Sequence, residues 1–276
     1  MSYDTPQTIQ EIVELFLEAK KASVTSDTHE YYARLLSMAK DRFHSVVLTQ
    51  RDINEYVAQR ATEGARRTIA KELSCLRMAL RFCGIVPNWD TPKSVHAIPK
   101  KSHWVASPLE VQTLLSGLSP DARLALFLAL LAGLRDAEVY RVRVEDYKQS
   151  EGILVLPGSI RKTGIGNMVP VVELLRGSIG GSGHHPEGTT IVQASPSSVR
   201  LELKNASRQL DHLWSGLQPA RRCLVTWAED AGFTMDTIAL VTGHARGSMT
   251  SRYSSEYGRL DIKRRVLESV ERRLTV

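Results

Sequence analysis

The chain has 276 residues, 42% hydrophobic and 24% charged, and its 36 Lys and Arg exceed its 30 Asp and Glu to give a net charge of +6. That length suits one large domain or two smaller ones, and two are expected. No apolar run approaches the ~18 residues of a membrane span, and the start MSYDTPQTIQ has neither the basic nor the apolar region of a secretory signal. A cytoplasmic protein without a membrane partner is therefore expected.

The pI near 9.3 has the sign expected of a protein that meets a polyanion. The excess is spread evenly: 15 basic and 12 acidic residues fall within 1–102, and 21 and 18 beyond, so each part is +3. If nucleic acid is the partner, both parts can touch it. Cys75, Cys83 and Cys223 are odd in number and lack C-x-x-C spacing, so buried free thiols are expected rather than a disulfide framework or a metal knuckle.

Residues 8–83 read as four helices. TIQEIVELFLEAK, DTHEYYARLLSMAKDRF, QRDINEYVAQRA and ARRTIAKELSCLRMALRF place apolar residues at steps of three and four. Thr49 with Asp52 forms a candidate capping box, and Gly64 separates the third helix from the fourth. The fourth opens with Arg66 and Arg67, adds Lys71 one turn on, and carries Ile69, Leu73, Leu76 and Leu80 on another side. Basic residues at a helix start oppose its dipole, which suits a compensating anion. A merely solvated face is the competing reading.

From Ile85 to Ala106 the periodicity stops. VPNWDTPKSVHAIPKKSHW carries three prolines and three lysines, among them Lys100 and Lys101, and reads as a linker. A second domain, 107–276, opens with Ser107 as N-cap and Pro108 at the first helical position. The stretch DARLALFLALLAGLRDAEVYRVRVEDY reads as helical, GILVLPG and NMVPVV as short strands, and SIRKTGIG as the turn between them. Residues 175–198 are rich in Gly, Ser and Pro and read as a mobile connection. His184 and His185 lie there without a third ligand nearby, so no metal site is expected. Helices resume near Ser197 and continue to the end.

Four fragments now line up: LLAGLRDAEVYRV with Arg135 and Glu138, SIRKTG with Lys162, PARRCLVTWAEDAG with Arg222, and VTGHARGSMTSRY with His244 and Tyr253. In this order and spacing they resemble the tyrosine recombinases, the phage-integrase family that includes Cre and the bacterial Xer proteins. The steps agree together: 27 residues from Arg135 to Lys162 across a hairpin, 22 from Arg222 to His244, and 9 from His244 to Tyr253. The motifs span about residues 107–257. Residues 1–84 look like the family's helical core-binding domain, a SAM-like four-helix unit, joined by a linker over 85–106 to a catalytic domain over 107–276. The implied fold class is mainly α with a small β-sheet, the catalytic part having the DNA breaking-rejoining enzyme fold.

The resemblance implies site-specific strand transfer through a covalent 3′-phosphotyrosine. Attack by a tyrosine hydroxyl on a phosphodiester builds extra negative charge, which guanidinium forks on Arg135 and Arg222 would hold bidentately. Glu138, one turn from Arg135, would orient an arginine. Lys162, on the hairpin turn, would protonate the departing 5′ oxygen, with Arg161 beside it as a competitor. His244 would hydrogen-bond the phosphate or help position the nucleophile, and Tyr253 would attack, a role that its nine-residue step from His244 gives it over Tyr257. The covalent bond conserves energy, so no cofactor or metal is expected. Arg66, Arg67, Lys71, Lys100 and Lys101 are candidate DNA contacts.

One position departs from the pattern. The family usually has a histidine three residues before the second arginine, and before Arg222 that place is Pro219, which has no side-chain donor or acceptor. His212, upstream, is a candidate substitute. The resemblance further implies double-stranded DNA with a specific site, a homo-tetramer, an accessory directionality factor, and action at the nucleoid of a bacterial, archaeal or viral host cell. No arm-binding domain is expected before residue 8. The apolar stripe Leu260, Ile262, Val266, Leu267, Val270 and Leu274 suits docking on a neighbour or folding back. A type IB topoisomerase-like relaxing enzyme and a catalytically weakened DNA-binding protein are the alternative readings.

Overall fold

The computed structural model describes residues 6–63, 66–96, 104–181, 186–243 and 256–275. The chain divides into two compact units, 1–102 and 103–276. The first holds α1 (Ile9–Lys21), α2 (Ser26–Arg42), α3 (Gln50–Thr62), α4 (Arg66–Phe82) and a short α5 (Lys93–His96). Thr8 and Thr49 begin α1 and α3 with full capping boxes, each hydroxyl accepting the N–H three residues on while Glu11 or Asp52 accepts from the cap's own N–H. The apolar steps then converge: Ile12 and Phe16 of α1, Leu36 of α2, Ile53 of α3, and Ile69, Leu73, Leu76 and Leu80 of α4 are buried together. Glu72 is buried in the same unit, where the Tyr56 hydroxyl donates to it at 2.7 Å and Arg60 Nη2 at 2.6 Å. Without those donors a carboxylate would not tolerate such a place.

Part of the stretch read as linker is packed. Trp89 and Val95 lie buried on the first core, Arg77 stacks 4.4 Å from the Trp89 ring centre, and Gln50 Oε1 accepts the Asp90 N–H at 2.7 Å. Composition hid this, because two apolar anchors are enough to seat a proline-rich segment. Lys100 and Lys101 lie outside the described residues.

The second unit runs α6 (Pro108–Ser116), α7 (Pro120–Leu131), α8 (Asp136–Val139), β1 (Tyr147–Lys148), β2 (Ile153–Leu156), β3 (Asn167–Pro170), α9 (Glu173–Gly181), α10 (Pro196–Ala206), α11 (Gln218–Asp230), α12 (Met235–Thr242) and α13 (Glu256–Thr275). The strands form one antiparallel sheet in the order β1-β2-β3, with Ile153 opposite Pro170 and Leu156 opposite Asn167. Helix α7 is buried over Ala122 and Leu124–Leu131, an apolar surface on every side that only a central helix can carry.

Three expectations change here. The long helical reading from Asp121 to Tyr147 breaks after Leu131, because Gly133 turns the chain at φ +66. Tyr147 begins a strand rather than ending a helix. The stretch 175–198 read as a mobile connection instead contributes most of α9, where Leu175 is buried, a loop that buries Ile191 and Val192, and the start of α10. Burial against α7 outweighs the low helix propensity of Gly177, Gly180 and Gly181. His184 and His185 lie outside the described residues.

The stripe on α13 folds back on its own unit. Val266, Leu267, Val270 and Leu274 are buried, and Gln112 Nε2 of α6 donates to the Leu274 carbonyl at 2.9 Å. No helix of the described residues is long and apolar enough to cross a membrane.

Gly133 sets the exit from α7 toward Arg135. A Cβ there would sit 3.0 Å from Leu224 Cδ2 and 3.3 Å from Val241 Cγ1, at a backbone angle that L side chains rarely adopt. Gly133→Ala is expected to destabilise the unit by about 1–3 kcal/mol, which thermal unfolding should register as a lowered midpoint. An unchanged midpoint would show that the turn is not strained.

Candidate active site

The site is built at the turn that follows α7. Arg135 is the N-cap of α8, and Glu138 sits at that helix's third position. Glu138 Oε2 accepts the Arg135 backbone N–H at 2.9 Å, and Oε1 accepts from Arg135 Nη1 at 2.7 Å. One carboxylate thus fixes both the backbone and the guanidinium of Arg135, while being only 2% exposed itself. Burial works against its charge, but the two Arg135 bonds and the charges of Arg135 and Arg161 outweigh it and hold the carboxyl below its usual range.

Two further arginines converge from distant parts of the unit. Arg161, on the turn between β2 and β3, is 7% exposed, and its Nη2 donates to the Thr242 carbonyl at 3.4 Å. Arg221 of α11 is 4% exposed, and its Nη2 donates to the same carbonyl at 2.7 Å. Burial pushes Arg221 down to about 10; the charges of Arg135 and Arg161 push the same way, and Glu138 opposes them. Burial likewise lowers Arg161, where Glu138 works to restore the charge and Arg135 to reduce it further. Among the described residues of this cluster, three guanidinia face one carboxylate, so 3 − 1 leaves a local excess of +2. Concentrated buried positive charge is costly unless an anion is to be held there.

The expected residues fall as follows. Arg135 and Glu138 are brought together as a bonded pair. Lys162 is exposed on the hairpin turn, next to the inward-facing Arg161. Arg222, the residue expected from spacing, lies half-buried, and the arginine whose charge is felt alongside Arg135 and Glu138 is its neighbour Arg221. Pro219 is buried in the first turn of α11, and exposed Gln218 occupies the position three residues before Arg221. The His212 ring packs 4.7 Å from that of Trp104. His244 and Tyr253 lie outside the described residues, as do the side chains of Arg66 and Arg67. Those two arginines begin α4, on which Lys71 is exposed.

Arg221 is the residue that sequence reasoning did not place in the site, and Arg161 entered there only as a competitor of Lys162. A signal for Arg221 is present: Leu224 and Ala228, three and seven residues on, are buried, so Arg221 shares their inward stripe. Arg161 has no comparable signal, because its partner Thr242 is 81 residues away.

No protein-family model matches the sequence, and no curated protein does. Among solved structures, the chain is similar to a lambda integrase dimer bound to a COC′ core site, at TM-score 0.66 and 18% identity over 91% of this chain and 78% of that one. It is similar to a lambda integrase tetramer bound to a Holliday junction, at TM-score 0.69 and 15% identity over 90% and 80%. It is also similar to the Tn1549 transposon integrase in complex with a circular intermediate DNA, at TM-score 0.73 and 14% identity over 94% and 100%. The chain has the fold of these integrases, which are tyrosine recombinases.

Proposed function

We propose that the chain is a site-specific recombinase that cuts and rejoins DNA strands through a covalent 3′-phosphotyrosine. The observation that carries this reading is Arg135, bonded to the buried carboxylate of Glu138, with the charges of both acting on buried Arg221, an anion site set in the fold of DNA-bound integrases. In the reaction the Tyr253 oxygen bonds to phosphorus, the bond from phosphorus to the 5′ oxygen breaks, and Lys162 delivers a proton to that leaving oxygen. Arg135 and Arg221 hold the non-bridging oxygens, where guanidinium forks match the developing charge. His244 donates a further hydrogen bond to the phosphate. The tyrosine proton passes to solvent, and rejoining runs the same steps in reverse.

With Arg221 in that role, the place usually held by histidine falls on Gln218, whose amide can donate, and Pro219 is a residue of the first turn of α11, where proline is tolerated. The reading of a weakened DNA-binding protein then loses its main support. We further propose that four protomers act together on two sites, with an accessory factor setting direction, at the nucleoid. Trapping tests the function. The wild-type chain, incubated with a nicked duplex of its site whose short 5′ fragment diffuses away, should accumulate a covalent protein–DNA adduct resistant to denaturant. Binding without any adduct would refute it.

Arg66, Arg67 and Lys71 supply phosphate contacts that do not depend on base sequence. Arg66→Ala with Arg67→Ala should weaken binding to all duplexes alike and reduce the slope of log affinity against log salt by about one unit per lost contact. A salt titration showing an unchanged slope would return these residues to a solvated face.

A further inference from the structure

The end of α12 has an unusual set of partners. A helix leaves its last carbonyls without intrahelical donors. After Thr242 the chain turns at Gly243, φ +65, whose N–H returns to the Ala239 carbonyl at 2.8 Å. The next three carbonyls are taken by side chains. Asn167 Nδ2 reaches Val241 O at 3.2 Å and Leu240 O at 3.5 Å, while Arg161 and Arg221 share Thr242 O. Two of these three side chains, Arg161 and Asn167, belong to the β2–β3 hairpin whose turn carries Lys162.

Nothing about a hairpin turn requires a buried guanidinium. Lys162 beside it is exposed, and the turn closes on its own backbone, with Arg161 N–H donating to Gly158 O at 3.1 Å and Gly164 N–H to Arg161 O at 3.0 Å. The Arg161 side chain nevertheless crosses to α12, in spite of its burial and the repulsion of Arg135. It packs so closely on Gly243 that a Cβ there would overlap Nη2 and the guanidinium carbon. Its place at the negative end of α12 offsets part of that cost. On the other flank, Asn167 Oδ1 accepts from Lys263 Nζ of α13 at 2.7 Å, so the hairpin is pinned to the helices on both sides of residues 244–255.

We propose that Arg161 is a positioning residue for the leaving-group acid: by anchoring the hairpin turn to the carbonyl that also holds Arg221, it fixes Lys162 relative to the scissile phosphate. This rests on the strand-transfer reading above. A small displacement of a proton donor is costly because the donor must lie within hydrogen-bond reach of the departing oxygen. Arg161 itself need touch neither nucleophile nor leaving group.

The experiment separates positioning from general damage by changing the leaving group. Single-turnover cleavage is measured on two nicked duplexes, one natural and one with the bridging 5′ oxygen replaced by sulfur. A thiolate, with a reference pKa of about 8.5, leaves without being protonated. Arg161→Ala should slow cleavage of the natural substrate about tenfold or more and cut the sulfur substrate at nearly the wild-type rate, as Lys162→Ala should. Arg161→Lys, which keeps the charge and loses the planar fork, should show the same selectivity. Normal cutting of the sulfur substrate would itself show that the variant is folded.

Equal slowing on both substrates by a variant that still binds the site would overturn the proposal and make Arg161 a phosphate ligand, a role open to its Nε, which has no hydrogen-bond partner among the described residues. An Arg161→Ala chain that does not bind is replaced by Arg161→Gln under the same criteria. Selective slowing by Lys162→Ala without any by Arg161→Ala would also overturn it. Wild type cutting neither substrate would refute the strand-transfer reading itself, and this inference with it.

Discussion

Tyr253→Phe is expected to abolish covalent adducts on the nicked duplex while leaving affinity for the site nearly unchanged. The substitution removes one oxygen and keeps the ring, so packing and phosphate contacts made by other residues survive and only the attacking atom is lost. A tyrosine hydroxyl, with a reference pKa of about 10, is a weak nucleophile near neutral pH. On the strand-transfer reading proposed above, it becomes useful beside a site that stabilises the charge its attack creates, and the excess of positive charge around Glu138 would supply that. Tyr257 is the control. It lies one residue into α13, whose backbone continues as an unbroken helix from Glu256 to Thr275, and Tyr257→Phe should still form adducts. Denaturing gels of the two variants decide the matter: adducts that persist in Tyr253→Phe and vanish in Tyr257→Phe would reverse the assignment.

What the sequence disclosed depended on whether the cause of a feature was local. Helices α1–α4 were legible because each carries its own apolar period, and α3 also its own capping box at Thr49. The hairpin was legible from Ile153–Leu156 and Asn167–Pro170 on either side of a glycine-containing turn. The break at Gly133 was not. Apolar residues run through it, and only the closeness of Leu224 and Val241 shows why the turn takes that form. Helix α9 was missed for the opposite reason: Gly177, Gly180 and Gly181 argued for a connection, and packing on α7 prevailed.

The site divides along the same line. The pairing of Arg135 with Glu138 spans three residues and follows from the spacing of a capping box. The roles of Arg161 and Arg221 rest on Thr242, 81 and 21 residues away. A motif count fixes a residue's number but not the direction of its side chain, and two adjacent arginines differ by about 100° around a helix of 3.6 residues per turn.

That difference makes Arg221→Ala the second large effect. Single-turnover cleavage should fall by about 10²–10³-fold, the usual consequence of removing one preorganised donor from such a site, whereas Arg222→Ala should cost far less. Arg221 is buried, donates to Thr242 O, and lies where its charge and that of Arg135 act on each other. Arg221→Lys restores a charge but not a planar fork that can serve a carbonyl and a phosphate oxygen together, so it should recover little. Because a buried arginine also supports the end of α12, rates are compared at saturating DNA and only for variants whose unfolding midpoint and site binding match wild type. Arg221→Lys supplies that comparison if Arg221→Ala does not fold. Gln218→Ala should give a smaller loss, since it removes a neutral donor at the edge of the same helix. If Arg222→Ala proves the crippled variant and Arg221→Ala the mild one, the catalytic register moves by one residue, Pro219 returns to the place three residues before the arginine, and the site has to work without a side-chain donor there.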